Sequence, residues 1–249
     1  MRTAQDFIIE IPVLKPSDQI TKARQILRDD RFREIYVVDE KRNLLGFIDI
    51  TDGLRETSTK SNVTIQGFIR DAPMAAPEDS IERAAKMMRE YHTDSAAVVN
   101  PKPRLVGGML LADLFPVIIS RSELHGLVSD RMTEKVVTAD PADELQRVYT
   151  MIMESGYTAF PVVKKKRLVG IVSRRDLIST HHVRSELARN ARTPLEDVMT
   201  KDVFTISPDE PVSTAAEMLV GHDISLLPVV EGNRLVGVIN RHDILAALA

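Results

Sequence analysis

The stretch Gly170-Ile171-Val172-Ser173-Arg174-Arg175-Asp176 decides how this chain folds. It predicts a buried strand over Leu168 to Val172 that runs straight into a helix. Ser173 takes the N-cap, and Asp176, three residues on, is its capping-box partner. The first backbone N–H groups of a helix lack internal partners, and the helix dipole favours negative charge, so a phosphate is stabilised there. Arg174 and Arg175, and Arg241 in a later stretch, fit two descriptions: phosphate anchors, or solvated residues of a helix start. The Asp176 carboxylate can accept from two ribose hydroxyls. A bare helix cap has the same sequence, so the stretch gains its meaning from recurrence.

It recurs four times. Gly46, Gly107, Gly170 and Gly237 are each followed six residues later by an aspartate: Asp52, Asp113, Asp176 and Asp243. Pro16, Pro77, Pro141 and Pro208 precede those glycines by 30, 30, 29 and 29 residues. Twenty residues after each proline lies an apolar strand: Tyr36-Val37-Val38, Ala97-Val98-Val99, Pro161-Val162-Val163 and Pro228-Val229-Val230. Glycine spacings of 61, 63 and 67 define a repeat of about 60 residues. In each copy a short strand ends just before the proline, which is expected at the first helical position. Asp140 and Ser207 suit the N-cap in copies three and four. Helical spacing follows at Leu145, Val148, Tyr149 and Ile152, and at Val212, Ala215, Ala216 and Leu219. Gly156 and Gly221 are expected as left-handed caps. Two strands joined by a polar turn, such as Glu231-Gly232-Asn233, then lead into a closing helix, Arg241 to Leu248 in copy four. The order is β-α-β-β-α, an α/β (α+β) class. The expected domains are 11–57, 68–120, 128–181 and 195–249, with Ser179 to Arg192 an exposed helix before the last.

Composition narrows the function. The 249 residues are 43% hydrophobic and 28% charged, as in a globular protein with an ample core. Without cysteine there is no disulfide, thiolate zinc site or cysteine nucleophile. Aromatic residues are 4% and tryptophan is absent, which disfavours base-stacking platforms. The net charge of −3 is spread evenly, with no basic tail, so nucleic acid is an unfavoured partner. Neither a signal pattern over Met1 to Pro12 nor a membrane-length apolar run is evident, and a cytoplasmic location is expected. His181-His182 lacks carboxylate or cysteine companions and reads as surface rather than metal ligand. Lys164-Lys165-Lys166-Arg167 reads as a solvated hairpin turn rather than a nucleic-acid patch. No nucleophile–base–orienter set, P-loop or metal motif emerges, so an enzyme is not expected.

The Val198-Met199-Thr200 lead-in, the "PVV" strands and the glycine-to-aspartate motif together resemble the cystathionine-beta-synthase (CBS) domain. The chain is similar to four such domains in two tandem pairs, the arrangement of the gamma subunit of AMP-activated protein kinase and of stand-alone archaeal CBS proteins. The resemblance implies two pseudo-twofold pairs whose clefts bind AMP, ADP, ATP or an S-adenosylmethionine-type ligand as effector, not as catalytic cofactor. Carried over by position, copy three supplies Thr138, Ala139, Thr158, Ala159, Phe160, Pro161, Ser173, Arg174, Arg175 and Asp176. Copy four supplies Thr205, Ile206, Leu226, Leu227, Pro228, Asn240, Arg241 and Asp243, with the Asn240 amide in place of a hydroxyl. In copy one Asp49 stands where phosphate would approach and is expected to repel it. In copy two Leu110 offers no hydrogen bond. The implied function is nucleotide-dependent regulation of a protein partner, homodimerisation being open. The alternatives are a scaffold with mostly empty clefts and a sensor of S-adenosylmethionine-type ligands.

Overall fold

A computed structural model describes residues 2–27, 31–49, 51–52, 62–155, 157, 159–174, 176 and 192–246. Copy one holds β1 (Val13–Leu14), α1 (Ile20–Ile26), β2 (Glu34–Val38) and β3 (Leu44–Asp49). Copy two holds β4 (Met74–Ala75), α2 (Ile81–Tyr91), β5 (Ser95–Val99), β6 (Leu105–Leu110) and α3 (Leu111–Ile119). Copy three holds α4 (Leu145–Ser155), β7 (Ala159–Lys164) and β8 (Arg167–Ser173). Copy four holds α5 (Val212–Gly221), β9 (Leu226–Glu231), β10 (Arg234–Asn240) and α6 (Arg241–Ala246). In these last two copies the first strand shrinks to one parallel bridge, Ala139 to Val162 and Ile206 to Val229. The β-α-β-β-α order expected from the repeat is found in copies two and four; in copies one and three the closing helix falls largely outside the described residues.

The chain divides into two units, Met1–Ser120 with copies one and two, and Arg121–Ala249 with copies three and four. Unit 1 has two three-stranded sheets, β1-β2-β3 and β4-β5-β6; unit 2 has one sheet in the order β7-β8-β10-β9. The apolar stripes read from helical spacing are the buried ones. Leu145, Val148 and Ile152 of α4, and Val212, Ala215, Ala216 and Leu219 of α5, are all at most 1% exposed.

Within each unit the copies exchange their lead-in segments. Short 3-10 turns at Ala4–Phe7 and Ile65–Phe68 open copies one and two, and Val128–Asp130 and Leu195–Asp197 open copies three and four. Each docks on its partner copy: Ala4 N–H donates to the Asp79 carbonyl, Ile65 to Asp18, Val128 to Glu210 and Leu195 to Asp143, all at 2.8–2.9 Å. The chain then crosses the partner's second strand, pairing Ile9 with Gly108, Arg70 with Phe47, Thr133 with Val238 and Thr200 with Ile171. This reciprocity is the pseudo-twofold pairing, and it explains the repeated glycine. A Cβ on Gly170 would sit 2.7 Å from Met199 Sδ and 2.9 Å from the Thr200 carbonyl oxygen. On Gly46, with φ +147°, it would sit 2.2 Å from the Arg70 carbonyl oxygen.

Three local expectations are corrected. The prolines open turns, and the helices begin four residues later at Ile20, Ile81, Leu145 and Val212. An aspartate two residues after the proline claims the turn instead: Asp18, Asp79 and Asp143 accept from the N–H of Lys15, Ala76 and Asp140 at 2.8–2.9 Å. Asp140, expected as an N-cap, receives the Ala142 N–H inside that turn. Gly221 ends α5 without a positive φ, and Asp223 takes the left-handed position instead (φ +48°). The Lys165-Lys166 pair is an exposed hairpin turn as expected, with φ +51° and +67°. Gly156, His181-His182 and residues 179–191 of the expected connecting helix lie outside the described residues, as do the last two positions of the expected closing helix.

Candidate functional site

Strand register assembles the copy-three residues. Ala159 pairs with Ser173 and Phe160 with Val172 across β7 and β8. Ala139 lies alongside, donating to the Pro161 carbonyl (3.1 Å) and accepting from Val163 N–H (2.8 Å). Thr138, Ala139, Ala159, Phe160, Pro161, Ser173 and Asp176 therefore share one end of one small sheet. Copy four repeats it: Ile206 donates to Pro228 and accepts from Val230, while Leu226 pairs with Asn240 and Leu227 with Ile239. Thr205 precedes Ile206 on this segment. Thr158 and Arg175 lie outside the described residues.

The capping box of the sequence is present. Ser173 donates to Asp176 Oδ2 from both its backbone N–H (2.7 Å) and its hydroxyl (2.8 Å), and its Oγ accepts the Asp176 N–H at 3.3 Å. Oδ1 of Asp176 has no hydrogen bond among the described residues. In copy four Asn240 N–H donates to Asp243 Oδ2 (2.9 Å), and Asp243 N–H donates to Asn240 Oδ1 (3.0 Å). Here the amide oxygen is the acceptor. Burial lifts the Asp243 carboxyl above the usual carboxylate range, against the Asn240 N–H and the nearby His242, which lower it. In copy two Asp113 is exposed and makes no hydrogen bond among the described residues.

Of the two readings of the arginines, burial bears on the solvated one. Arg174 and Arg241 are buried, at 7% and 8% exposed, so neither is a solvated helix-start residue. Arg174 Nε donates to the Tyr157 carbonyl (2.7 Å), and Arg241 Nη2 reaches Asp223 (3.3 Å), each turned toward the loop before its own copy's strand. Beside these motifs sit residues that sequence reasoning missed: Tyr157, edge-on to Phe160 at 5.9 Å, and Phe204, stacked on His222 at 3.7 Å. Both are about half exposed apolar faces. Phe204 directly precedes Thr205, and that adjacency was the available signal. A cavity of about 230 Å³ in unit 2 is lined by Thr138, Val136, Val163, Lys166, Arg234 and Glu134, among others. It meets the candidate site only at Thr138.

In copy one the Asp49–Asp52 pair has a cation beside it. Arg70 Nη2 lies 3.0 Å from Asp49 and 2.7 Å from Asp52 and offsets one of the two negative charges; the Asp52 carboxyl is still pushed up, first by burial and then by the charge of Asp49. Unit 1 is also braced elsewhere between its copies. Glu34 accepts from Asp94 N–H (3.0 Å) and the Ser95 hydroxyl (2.8 Å), Tyr36 OH lies 2.9 Å from Ser95 Oγ, and Arg33 pairs with Asp94. An apolar cluster of Ile11, Tyr36, Val38, Phe47, Ala72, Ala97 and Leu105 joins the two copies.

Paired α/β repeats that exchange lead-ins, each with a glycine-to-aspartate turn, define the class of protein. The chain belongs to the CBS-domain family, whose model matches residues 4–58, 65–119, 128–182 and 195–249. Uncharacterized protein MJ1225 of Methanocaldococcus jannaschii is 25% identical over 96% of each chain. Its crystal structure, proposed as an archaeal homolog of g-AMPK, superposes over 100% of both chains with TM-score 0.86 at 22% identity. An uncharacterized conserved protein from Pyrococcus horikoshii covers both chains fully at TM-score 0.70 and 23% identity. The homoserine O-acetyltransferase of Methanococcoides burtonii is 40% identical over 48% of this chain but only 24% of its own length. Among the described residues no helix is long and apolar enough to cross a membrane.

Proposed function

We propose that unit 2 binds an adenosyl effector, AMP, ADP or ATP in the first instance, and that occupancy regulates a protein partner. Four segments of the chain match CBS domains, which suits regulation without chemistry. The observation that carries the proposal is the half-used Asp176 carboxylate. Ser173 holds Oδ2, and Oδ1, with no hydrogen bond among the described residues, lies beside a helix start and the Thr138–Ala139 and Ala159–Pro161 backbone. That is an acceptor for ribose hydroxyls next to a place that favours phosphate. A ligand touching both copies would favour one packing of the pair, and that shift, by linkage, changes affinity for the partner. A scaffold role with a filled cleft is favoured for unit 1, where side chains from both copies occupy the space between them.

The test compares Asp176→Ala with Asp113→Ala by calorimetric titration of AMP and ATP on folded protein. Loss of a hydrogen bond to a charged group costs about 1.5–3 kcal/mol, roughly a 10- to 150-fold fall in affinity. Asp176→Ala is expected to weaken one site by that factor and Asp113→Ala to leave titrations unchanged. If both variants bind as the parent does and Asp176→Ala only loses about 0.5–2 kcal/mol of stability, Asp176 is a helix cap and nothing more.

A further inference from the structure

Copies one and three have the same backbone at the motif and opposite contents. In copy one Asp49 replaces Ser173 and caps the helix start with a carboxylate: Oδ1 accepts from Thr51 N–H (2.7 Å) and Asp52 N–H (3.2 Å). Asp49 N–H in turn donates to Asp52 Oδ2 (2.9 Å). Among the described residues, the Thr51 and Asp52 N–H groups of this helix start are already used. Onto this pair copy two delivers Arg70. Its backbone bonds Phe47 in both directions (2.8 and 2.9 Å), and its guanidinium lies 4.8 Å from the centre of the Phe47 ring and reaches both carboxylates. Asp52 is 4% exposed at its side chain and Asp49 18%, so the contact is largely screened from water on the acidic side. At the equivalent lead-in position copies three and four receive Thr200 and Thr133, and copy two receives Ile9. An arginine near a helix start would ordinarily suggest a phosphate anchor. Here the guanidinium cannot turn to a phosphate without leaving two adjacent carboxylates with no cation beside them.

We propose that Arg70 is the built-in occupant of the copy-one cleft, a lock supplied by copy two that determines specificity by keeping phosphorylated ligands out. It covers the Phe47 face, and it bonds Oδ2 of Asp52, the counterpart of the oxygen that Ser173 holds in copy three. The class of ligand excluded rests on the nucleotide reading of unit 2; the lock itself does not. At the motif, the lock rests on two of the differences between copies one and three, Asp49 for Ser173 and Arg70 for Thr200.

The experiment uses four full-length proteins: the parent, Arg70→Thr, Asp49→Ser and the double variant. Without ligand, thermal unfolding should show coupling: Arg70→Thr strands two carboxylates, and adding Asp49→Ser recovers part of the lost Tm. Titrated with AMP and ATP, the double variant should gain one site over the parent, and neither single variant should. Additive Tm changes would overturn the lock. Coupled Tm changes with no added site, while the Asp176-dependent site in unit 2 titrates normally, would overturn its role in specificity. If none of the four binds either nucleotide, the reading of unit 2 fails, while the coupling still shows Arg70 holding the cleft. Should the double variant not fold, Arg70→Lys supplies the second arm. Lysine keeps the charge but lacks the planar group that lies over Phe47 while reaching both acids, so Tm should fall with no site gained. An Arg70→Lys protein as stable as the parent would sink the proposal.

Discussion

Unit 1 and unit 2 share a frame and differ in what fills it. Residues three places after each repeat glycine pair across the sheet with Glu34 and Ser95 in unit 1, and with Ala159 and Leu226 in unit 2. The strand centres are Tyr36 and Ala97 in unit 1, and Pro161 and Pro228 in unit 2. Unit 1 thus carries long or polar side chains that reach across to the partner copy, and unit 2 carries short apolar ones. Unit 1 supplies its own cross-braces from within, and in unit 2 the paired positions carry Ala159 and Leu226 instead. The repeat preserves what the backbone crossing needs, the glycine, and lets the contents of the cleft diverge.

The frame should therefore be the most fragile part in both units, and more so in unit 1. At Gly46 a Cβ would strike a backbone oxygen at 2.2 Å from a left-handed φ, so neither rotation nor side-chain movement relieves it. At Gly170 the nearest atom, at 2.7 Å, is the flexible end of Met199. Gly46→Ala should cost about 3–5 kcal/mol and Gly170→Ala about 1–3 kcal/mol. Denaturant unfolding of the two variants checks the order. Equal losses would mean that the crossing is no tighter in unit 1.

Much of this frame is legible in the sequence because one backbone requirement recurs four times. Gly46, Gly107, Gly170 and Gly237 stand in register with their aspartates, and the apolar stripe of α4 or α5 needs only helical spacing. What fails to show has long-range causes. Arg174 reads as solvated or anion-binding, yet the Tyr157 carbonyl, 17 residues earlier, draws it inward. Arg70 is one charge among many until pairing with Phe47 carries it to Asp49 and Asp52. The proline at the helix start is misplaced by four residues because its own turn is closed by Asp18, Asp79 or Asp143, a stronger local claim than a missing N–H. In the site, the Ser173–Asp176 box is local and readable. Phe204 is marked only by its adjacency to Thr205, and Tyr157, two residues before its strand, carries no mark of where its ring lies.

The brace at Glu34 separates the units in a subtler way, through protons. Glu34 is buried between the copies of unit 1, and burial, joined by the charge of Asp94, pushes its carboxyl up to about 7. The Asp94 N–H, the Ser95 hydroxyl and Arg33 oppose that rise without cancelling it. Tyr36, whose hydroxyl bonds Ser95, is also pushed up by burial and then by Glu34, so it stays neutral throughout this range. An acid whose folded value is raised binds more protons folded than unfolded. Its contribution is complete below the unfolded value of 4.5 and is lost as pH rises toward about 7. Above that the charged form is carried as a constant penalty. Glu34→Gln keeps the shape and stays neutral, with an amide donor to Ser95 in place of the acid proton. It should match the parent near pH 5 and exceed it by about 1–3 kcal/mol at pH 8, by the scale of a buried polar group freed from an unfavourable state. Tm measured from pH 5 to 8 for both proteins checks this. Parallel profiles would show that Glu34 stays ionised throughout, and the cross-brace of unit 1 would then be an ordinary charged hydrogen-bond cluster.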